Sequence, residues 1–178
     1  MVASAGIDFG HVSLDGDTVY WREQRPAEDG RGVVVRHSDG TNEDVTPDSI
    51  DVRTLVHQYG GGDFAVHDDT VFFTRFDDQR VYRQSPDSEP VAITPEPTTE
   101  RGLRYADFEI ADDGSHLYCV RENHDAASGE DGADEPVTTL VRLTPRHPHF
   151  RPTGAVSPGS RGTIHGCRGT APNFTSQM

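Results

Sequence analysis

The residues best equipped for chemistry stand close together, between positions 53 and 62. A guanidinium, an imidazole and a phenol precede three successive glycines there, and the full set is Arg53, His57, Tyr59, Gly60, Gly61 and Gly62. Three glycines allow positive φ angles and a close approach of two backbones, so we favour a structural role in a turn or junction. The alternative is that Arg53, His57 and Tyr59 face a central channel and orient a substrate in it.

A serine nucleophile is not predicted in this chain. The Gly-x-Ser-x-Gly pattern requires a strand before the serine and a helix after it, because the serine sits on a strained turn between them. The nearest match is Pro158-Gly159-Ser160-Arg161-Gly162, which has proline in place of the first glycine and no strand or helix pattern around it. We interpret it as a Gly/Ser-rich stretch, and we predict no catalytic residue.

Metal and cofactor sites are not predicted either. The acids within 122–135 lack the alternating ligands and the central glycine of a calcium loop, so we interpret this segment as a solvated loop. Two further groups, His147-Pro148-His149 and His165-Gly166-Cys167, lack a complementary set of ligands. Cys119 stands in an aromatic strand pattern and is predicted to be a small buried core residue.

The elements that must position these residues follow a repeat of about fifty residues. A turn followed by a β-rich segment recurs at Thr18, Thr70 and His116. A closing tripeptide recurs as Val45-Thr46-Pro47, Ile93-Thr94-Pro95 and Leu143-Thr144-Pro145. Repeats of this size, with apolar residues at every second position, are typical of β-propeller blades. The sequence therefore predicts an all-β fold, a partial β-propeller of about three four-stranded antiparallel blades.

The predicted organisation has an N-terminal extension (1–8), the three blades and a tail. The blades cover about 9–47, 63–95 and 105–145, and the tail covers 146–178. All thirty acidic residues precede the tail, which carries four arginines and is rich in Gly, Pro, Ser and Thr. Such a composition buries little apolar surface, so we expect the tail to be disordered. We interpret the abrupt change as a frameshift or a broken gene.

The charge of the chain limits its partners. Thirty acidic residues stand against sixteen basic ones, every one of them arginine, and the formal net charge is −14. This composition resembles that of proteins from halophilic archaea, which work in molar salt where the Debye length falls to about 3 Å. An acidic surface that binds a cation or a basic partner is the less favoured interpretation. We expect no nucleic-acid partner, because phosphate binding requires an excess of basic residues.

The compartment is predicted to be the cytoplasm. The two cysteines, Cys119 and Cys167, have neither a disulfide framework nor CxxC spacing, as expected in a reducing environment. The sequence shows no signal-peptide pattern, and its apolar runs are no longer than four residues. A membrane-spanning segment is therefore not predicted.

Several segments together resemble one known family. In chain order they include Tyr20-Trp21, Arg25-Pro26, Val52-Arg53-Thr54, Tyr59-Gly60-Gly61-Gly62, Asp78-Gln79-Arg80, Leu103-Arg104-Tyr105-Ala106-Asp107 and Val120-Arg121-Glu122. This set resembles the N-terminal propeller of S9-family serine peptidases of the prolyl oligopeptidase group. More narrowly, it is similar to the dipeptidyl aminopeptidase and acylaminoacyl-peptidase branch.

The resemblance implies a propeller that filters substrates by size above an α/β-hydrolase domain, which supplies the Ser, Asp and His of the active site. It implies hydrolysis of short peptides from the N-terminal end, with peptide substrates bound only in the context of a full-length enzyme. We expect this chain to be an inactive fragment that self-associates through unclosed blades. Two alternatives stay open: a stand-alone binding or scaffold protein, and a subunit of a split peptidase.

Overall fold

The computed structural model of the chain describes residues 6–58, 61–125 and 136–145. These residues contain eleven β-strands and two short 3-10 turns (Pro26–Glu28 and Val56–Gln58), and no α-helix. The strands are β1 (Asp8–Asp15), β2 (Thr18–Arg25), β3 (Arg31–Ser38), β4 (Thr41–Asp44), β5 (Phe64–His67), β6 (Thr70–Thr74), β7 (Val81–Gln84), β8 (Val91–Ala92), β9 (Leu103–Ile110), β10 (Leu117–Asn123) and β11 (Val137–Leu143).

The strands form three antiparallel sheets that follow one another along the chain. Sheet 1 has the order β1-β2-β3-β4, sheet 2 the order β5-β6-β7-β8, and sheet 3 the order β9-β10-β11. The first strands of successive sheets meet, since β1 contacts β5 and β5 contacts β9. The predicted all-β partial propeller is therefore confirmed. Sheet 3 has three strands among the described residues.

The turns at the start of each second strand explain the first repeated marker. In sheet 1, Asp15 pairs with Thr18 across a tight turn in which Gly16 adopts a φ of 58°. In sheet 2, His67 pairs with Thr70 across Asp68 and Asp69, both with positive φ. Short acidic turns of this kind reverse the chain between antiparallel strands. Because each turn fixes the register of its hairpin, each also decides which side chains face the neighbouring sheet.

Two apolar clusters hold the three sheets together. The first interface, between sheets 1 and 2, contains Tyr20, Val34, Ile50, Val52, Phe64, Val66, Val71 and Phe73. The second interface, between sheets 2 and 3, contains Ala65, Phe72, Val81, Ile93, Tyr105, Phe108, Leu117, Cys119, Val141 and Leu143. Side chains of β5 and β6 alternate between the two clusters, as the period of two in a strand requires. Sheet 2 is thus covered on both faces.

The closing tripeptide performs the same task in sheets 1 and 2. In sheet 1, Val45 N–H donates to the carbonyl of Val34 (2.8 Å), and Val34 N–H donates to Thr46 Oγ1 (3.2 Å). In sheet 2, Ile93 N–H donates to the carbonyl of Val81 (2.8 Å), and that valine's N–H donates to Thr94 Oγ1 (3.0 Å). Each tripeptide therefore completes the outer edge of a third strand.

The third tripeptide has a different place in the fold. Leu143 is the last residue of β11, the third strand of its sheet, and pairs with Leu117. A Thr-Pro pair ends a strand wherever it occurs, because proline has no N–H for the next ladder bond. The predicted tail, 146–178, lies outside the described residues. In the part of the chain that the structure describes, no helix is long and apolar enough to cross a membrane.

Candidate functional site

The predicted site segment belongs to the connection between sheets 1 and 2. Arg53 Nη2 pairs with Asp51 Oδ2 at 2.7 Å, and its guanidinium lies 3.7 Å from the centre of the Phe76 ring. Arg101 lies over the same ring at 4.6 Å and donates from Nε to the carbonyl of Asp77 (3.1 Å). Cations are attracted to the electron-rich face of an aromatic ring. Phe76 therefore brings two guanidiniums, from two different connections, to one aromatic ring.

His57 is held by a buried carboxylate of sheet 3. Its backbone adopts a φ of 56°, and its N–H donates to Glu122 Oε1 at 2.8 Å. The imidazole Nδ1 lies 3.2 Å from the same oxygen, and His124 Nε2 lies 3.0 Å from Glu122 Oε2. A positive φ is unfavourable for histidine and persists where its surroundings fix it. Glu122 supplies that restraint and orients both imidazoles.

The environment of Glu122 keeps it ionised. Burial acts to raise the pKa of this carboxyl, but the hydrogen bonds from His57 N–H and His124 outweigh it, so the pKa lies below its ordinary value. The prediction that residue 122 begins a solvated loop is wrong at this position. Strand β10 extends to Asn123, and Glu122 is buried within it. The imidazole of His57 is 54% exposed and is the part of the group that solutes can reach.

The two described glycines of the segment allow a close approach to sheet 3. Gly62 N–H donates to Asp107 Oδ1, and Asp107 N–H donates to the carbonyl of Gly62, both at 2.8 Å. A Cβ on Gly61 would stand 2.7 Å from Asp107 Oδ1, which is closer than real Cβ contacts. Neither glycine has a positive φ. Tyr59 and Gly60 lie outside the described residues. The other predicted residues have separate partners: Arg53 contacts Asp51 and Phe76, His57 contacts Glu122, and the two glycines approach Asp107.

One organising residue was not predicted as part of this site. Gln79 is fully buried and accepts from Leu55 N–H at 2.7 Å. Its Nε2 donates to the carbonyls of Arg53 (3.2 Å) and Phe76 (3.0 Å). A buried amide that satisfies three backbone groups fixes their relative positions. The only sequence signal was its place in Asp78-Gln79-Arg80, one of the segments that resemble the family.

A second buried carboxylate, Asp63, lies between sheets 1 and 2. Its Oδ2 stands 2.8 Å from Arg22 Nε, which also donates to the carbonyl of Val52 at 2.9 Å. The other oxygen, Oδ1, is buried without a hydrogen-bond partner. Burial raises the pKa of Asp63 to about 6, and the attraction of Arg22 offsets this only in part. Asp63 is thus the titratable group of the first interface.

Serine, histidine and aspartate also meet in the turn before β10, but not as a catalytic triad. Ser115 Oγ lies 2.6 Å from His116 Nδ1 and donates to Asp113 Oδ1 at 2.5 Å. A triad needs the aspartate on the histidine and the histidine on the serine, whereas here the serine contacts both. Ser115 N–H also donates to Asp113 Oδ1 at 3.0 Å, as in an ordinary Asx turn. These hydrogen bonds to Asp113 lower its pKa.

The prediction for Cys119 is confirmed. It is a free, fully buried residue of the second interface, and burial raises the pKa of its thiol to about 12. A protonated, inaccessible thiol is a packing residue rather than a nucleophile. Over the ranges that the structure describes, no group of three or more His, Cys, Asp or Glu side chains is placed to hold a metal ion.

Comparison with known proteins shows which solved structures are similar to this architecture. No protein-family model and no curated protein sequence matches the chain. Among solved structures, a puromycin-hydrolyzing peptidase of Mycobacterium tuberculosis has a TM-score of 0.69 and 34% identity, over 80% of this chain and 22% of that chain. A puromycin hydrolase, solved also as a mutant complexed with PGG, has a TM-score of 0.70 and 32% identity, over 81% of this chain and 23% of its own.

The chain therefore spans less than a quarter of the length of these peptidases. The matches extend over about four fifths of this chain, at a level of identity well above that of a fold likeness alone. The segments of the family resemblance fall on these sheets and on the connections between them. The chain is a partial β-propeller of the S9 serine peptidase family, corresponding to the N-terminal propeller.

Proposed function

We propose that the chain serves as the substrate-filtering propeller of an S9-type serine exo- or oligopeptidase. The observation that carries this proposal is the match of 80% of this chain, at 34% identity, to a puromycin-hydrolyzing peptidase. Hydrolysis itself belongs to an α/β-hydrolase domain with its own Ser, His and Asp. The chain alone is therefore inactive. The substrates of the complete enzyme are short peptides and aminoacyl compounds of the puromycin type.

Within this function, we assign the group around Arg53 and His57 to substrate passage. It is formed by the sheet-to-sheet connections, and its exposed imidazole is oriented by the buried Glu122. The paired guanidiniums of Arg53 and Arg101 add positive charge in an otherwise acidic protein. Such a group favours the carboxylate end of a peptide over other solutes.

The test compares the chain alone with a reconstituted enzyme. The chain is assayed against puromycin and short peptide amides, first alone and then with a puromycin hydrolase from which the corresponding segment has been removed. We expect turnover only in the mixture. In the mixture, Arg53→Ala should raise KM several-fold with little change in kcat, because it removes binding that does not depend on the transition state.

A matched control for this substitution is His37→Ala, since the imidazole of His37 hydrogen-bonds Asn42 in the hairpin of β3 and β4, within sheet 1. It should leave both constants unchanged. Hydrolysis by the chain alone, abolished by a serine-directed inhibitor, would contradict the proposal. So would a mixture that stays inactive although the two parts bind each other.

We further propose that the enzyme belongs to the dipeptidyl aminopeptidase and acylaminoacyl-peptidase branch and works in the salt-rich cytoplasm of a halophile. The composition supports this, with thirty acids and no lysine. Repulsion among the acids weakens as salt screens it. The midpoint of thermal unfolding should therefore rise steadily between 0.1 and 3 M KCl. A midpoint that is flat or falls over this range would refute the halophilic assignment.

The outer face of sheet 1 is proposed to bind a second copy of the chain. Phe9, Val12 and Leu14 of β1 are large apolar residues that are mostly exposed, and Leu14 is 70% exposed. An apolar sheet face of this kind is an association surface. The apparent mass in sedimentation should rise with concentration, and Leu14→Asp should abolish the rise. A mass that does not depend on concentration would exclude this association.

A further inference from the structure

Among the described residues, the outer edge of the third strand is completed by the chain in sheets 1 and 2 but not in sheet 3. In the first two sheets, an aliphatic residue donates its N–H to a valine carbonyl, and the next residue, threonine, accepts that valine's N–H. The valines are Val34 and Val81. In sheet 3, β11 is the last strand among the described residues. Its outer edge therefore has the same position without the same partner.

Leu140 is the residue that corresponds to the two valines. Val34 pairs with Arg22, and Val81 pairs with Thr74, each four residues after the marker that begins the second strand. In sheet 3 the same step leads from His116 to Val120, whose partner is Leu140. The register thus identifies the equivalent residue without reference to its type.

The alternation of hydrogen-bonded and non-bonded pairs in sheet 3 shows in which direction the N–H and C=O of Leu140 point. Ala111 N–H donates to the carbonyl of His116 at 3.0 Å, which makes this a hydrogen-bonded pair. Bonded and non-bonded pairs alternate along antiparallel strands. The N–H and C=O of Leu117 and Cys119 therefore face β11, and the pair Val120–Leu140 is non-bonded. It follows that the N–H and C=O of Leu140 face away from β10.

The third tripeptide cannot fill this edge itself. Val45 follows Val34 by eleven residues and Ile93 follows Val81 by twelve, which leaves room for a reversal and a fourth strand. Leu143 follows Leu140 by three residues and lies in the same strand. A strand that is still pairing with β10 cannot also pair with itself.

We propose that the outer edge of β11 binds an extended segment of a partner polypeptide with the sequence aliphatic–Thr–Pro. The aliphatic N–H donates to the carbonyl of Leu140, and the threonine hydroxyl accepts the N–H of Leu140. This is strand addition, in which main-chain bonds give affinity and alternate side chains give specificity. The strand Val-Thr-Thr-Leu-Val-Arg-Leu contains no lysine, proline or acid of the kind that protects an edge. By contrast, β3 is covered by the acidic strand β4, with sequence Thr-Asn-Glu-Asp.

The experiment titrates a capped peptide of sequence Glu-Pro-Val-Ala-Ile-Thr-Pro, which copies residues 89–95, into the ¹⁵N-labelled full chain in molar salt. The amide signal of Leu140 should shift, and its hydrogen exchange should slow by at least about ten-fold at saturation. The amides of Val34 and Val81 should not respond, since their edges are already paired. Replacing the peptide's threonine with valine should weaken binding about five-fold, because one acceptor is lost.

A variant of the chain provides a second arm. Leu140→Pro removes the donor, and proline is tolerated in an edge strand whose N–H faces outward. It should abolish peptide binding, while Leu140→Val should retain it. Two results would overturn the proposal. One is equal affinity for the threonine and valine peptides. The other is slow exchange of the Leu140 amide before peptide is added, because the chain's own residues would then cover the edge.

Discussion

The first and second interfaces are built from similar apolar clusters but hold their buried polar groups in different ways. In the first interface, Arg22 and Asp63 form a buried ion pair. In the second, Thr54 and Thr74 both donate to the carbonyl of Tyr105, at 2.7 and 2.9 Å. Burying an ion costs more than burying a satisfied neutral group. The stability of the first interface therefore depends on pH, whereas that of the threonine contacts does not.

The two buried carboxylates show why burial alone does not determine a pKa. Asp63 faces one guanidinium and has an oxygen without a partner, so its pKa rises to about 6. Glu122 receives a backbone N–H and an imidazole contact on each oxygen, and its pKa falls. Hydrogen bonds to the charged form compensate for the lost water. At Asp63 the effect of burial is offset only in part by Arg22, whereas the donors around Glu122 outweigh it.

The largest effect is expected from a methyl group at the first interface. A Cβ on Gly32 would stand 2.0 Å from the carbonyl oxygen of Val52, which belongs to the backbone and cannot rotate away. Gly32→Ala should lower the free energy of unfolding by about 4 kcal/mol, the range of severe core substitutions. Urea denaturation in 2 M KCl would measure it.

Matched substitutions at the second interface show how specific this effect is. A Cβ on Gly61 meets the side-chain oxygen of Asp107 at 2.7 Å, so Gly61→Ala should cost only about 1–2 kcal/mol. On Gly62 the nearest atom is 3.5 Å away, and alanine should be nearly neutral there. Equal losses at Gly32 and Gly62 would show that the approach of the Val52 carbonyl does not limit this junction.

The next largest effect concerns pH at the first interface. The pKa of Asp63 is about 6 in the folded chain and 3.8 in the unfolded chain, so the folded state binds more protons between these values. Its contribution is full below about pH 4 and is lost as the pH rises through 6. The loss approaches about 3 kcal/mol at pH 7, at about 1.4 kcal/mol per pKa unit. Asp63→Asn should flatten the stability curve across this window.

The control for this change is Asp48→Asn, because the side chain of Asp48 is fully exposed. It should leave the pH dependence of unfolding as it is in the parent chain. Urea midpoints measured at half-unit steps from pH 4 to 7 separate the two variants. A wild-type curve that rises through this window would mean that Asp63 is ionised more easily in the folded state, contrary to the structure.

The neutral contacts of the second interface should give a smaller and non-additive effect. Because the hydroxyls of Thr54 and Thr74 share one acceptor, removing either leaves the carbonyl of Tyr105 with a partner. Thr74→Val alone should cost about 0.5 kcal/mol, and Thr54→Val about 1 kcal/mol, because Thr54 Oγ1 also accepts the buried N–H of Val56. Both together should cost about 3 kcal/mol, since a buried carbonyl is then unsatisfied. A double-mutant cycle at pH 5 and 7 measures the coupling. Strict additivity would show that water replaces the lost donors.

The hairpins could be predicted from the sequence, because the turn residues and the alternation that specify them lie close together in the chain. Turn residues at 15–18 and 67–70 set the starts of β2 and β6, and alternation in the strands set the buried faces. The ion pair of Arg22 and Asp63 could not be predicted, since its members are far apart in the chain and meet only once sheets 1 and 2 pack. The same holds for Glu122, which holds His57 from another sheet.

The third tripeptide shows what a local sequence signal does not determine. Thr-Pro marks the end of a strand, but it does not indicate whether that strand is the third or the fourth in its sheet. Only the pairing of Leu143 with Leu117 decides this. A repeat read from sequence alone therefore predicts the number of units better than the number of strands in each.

A smaller expected loss of stability concerns the closing tripeptides of sheets 1 and 2, and it should be equal in both. Thr46 and Thr94 accept the N–H of Val34 and Val81 with the same geometry, although one valine belongs to the first interface and the other to the second. Thr46→Val and Thr94→Val should each cost about 1 kcal/mol, because one buried N–H loses its acceptor. Thr144→Val is the control, since Thr144 follows a third strand and should have almost no effect. If the two costs differ by more than about 0.5 kcal/mol, which is the usual limit of additivity, the interfaces rather than the closing bonds determine them.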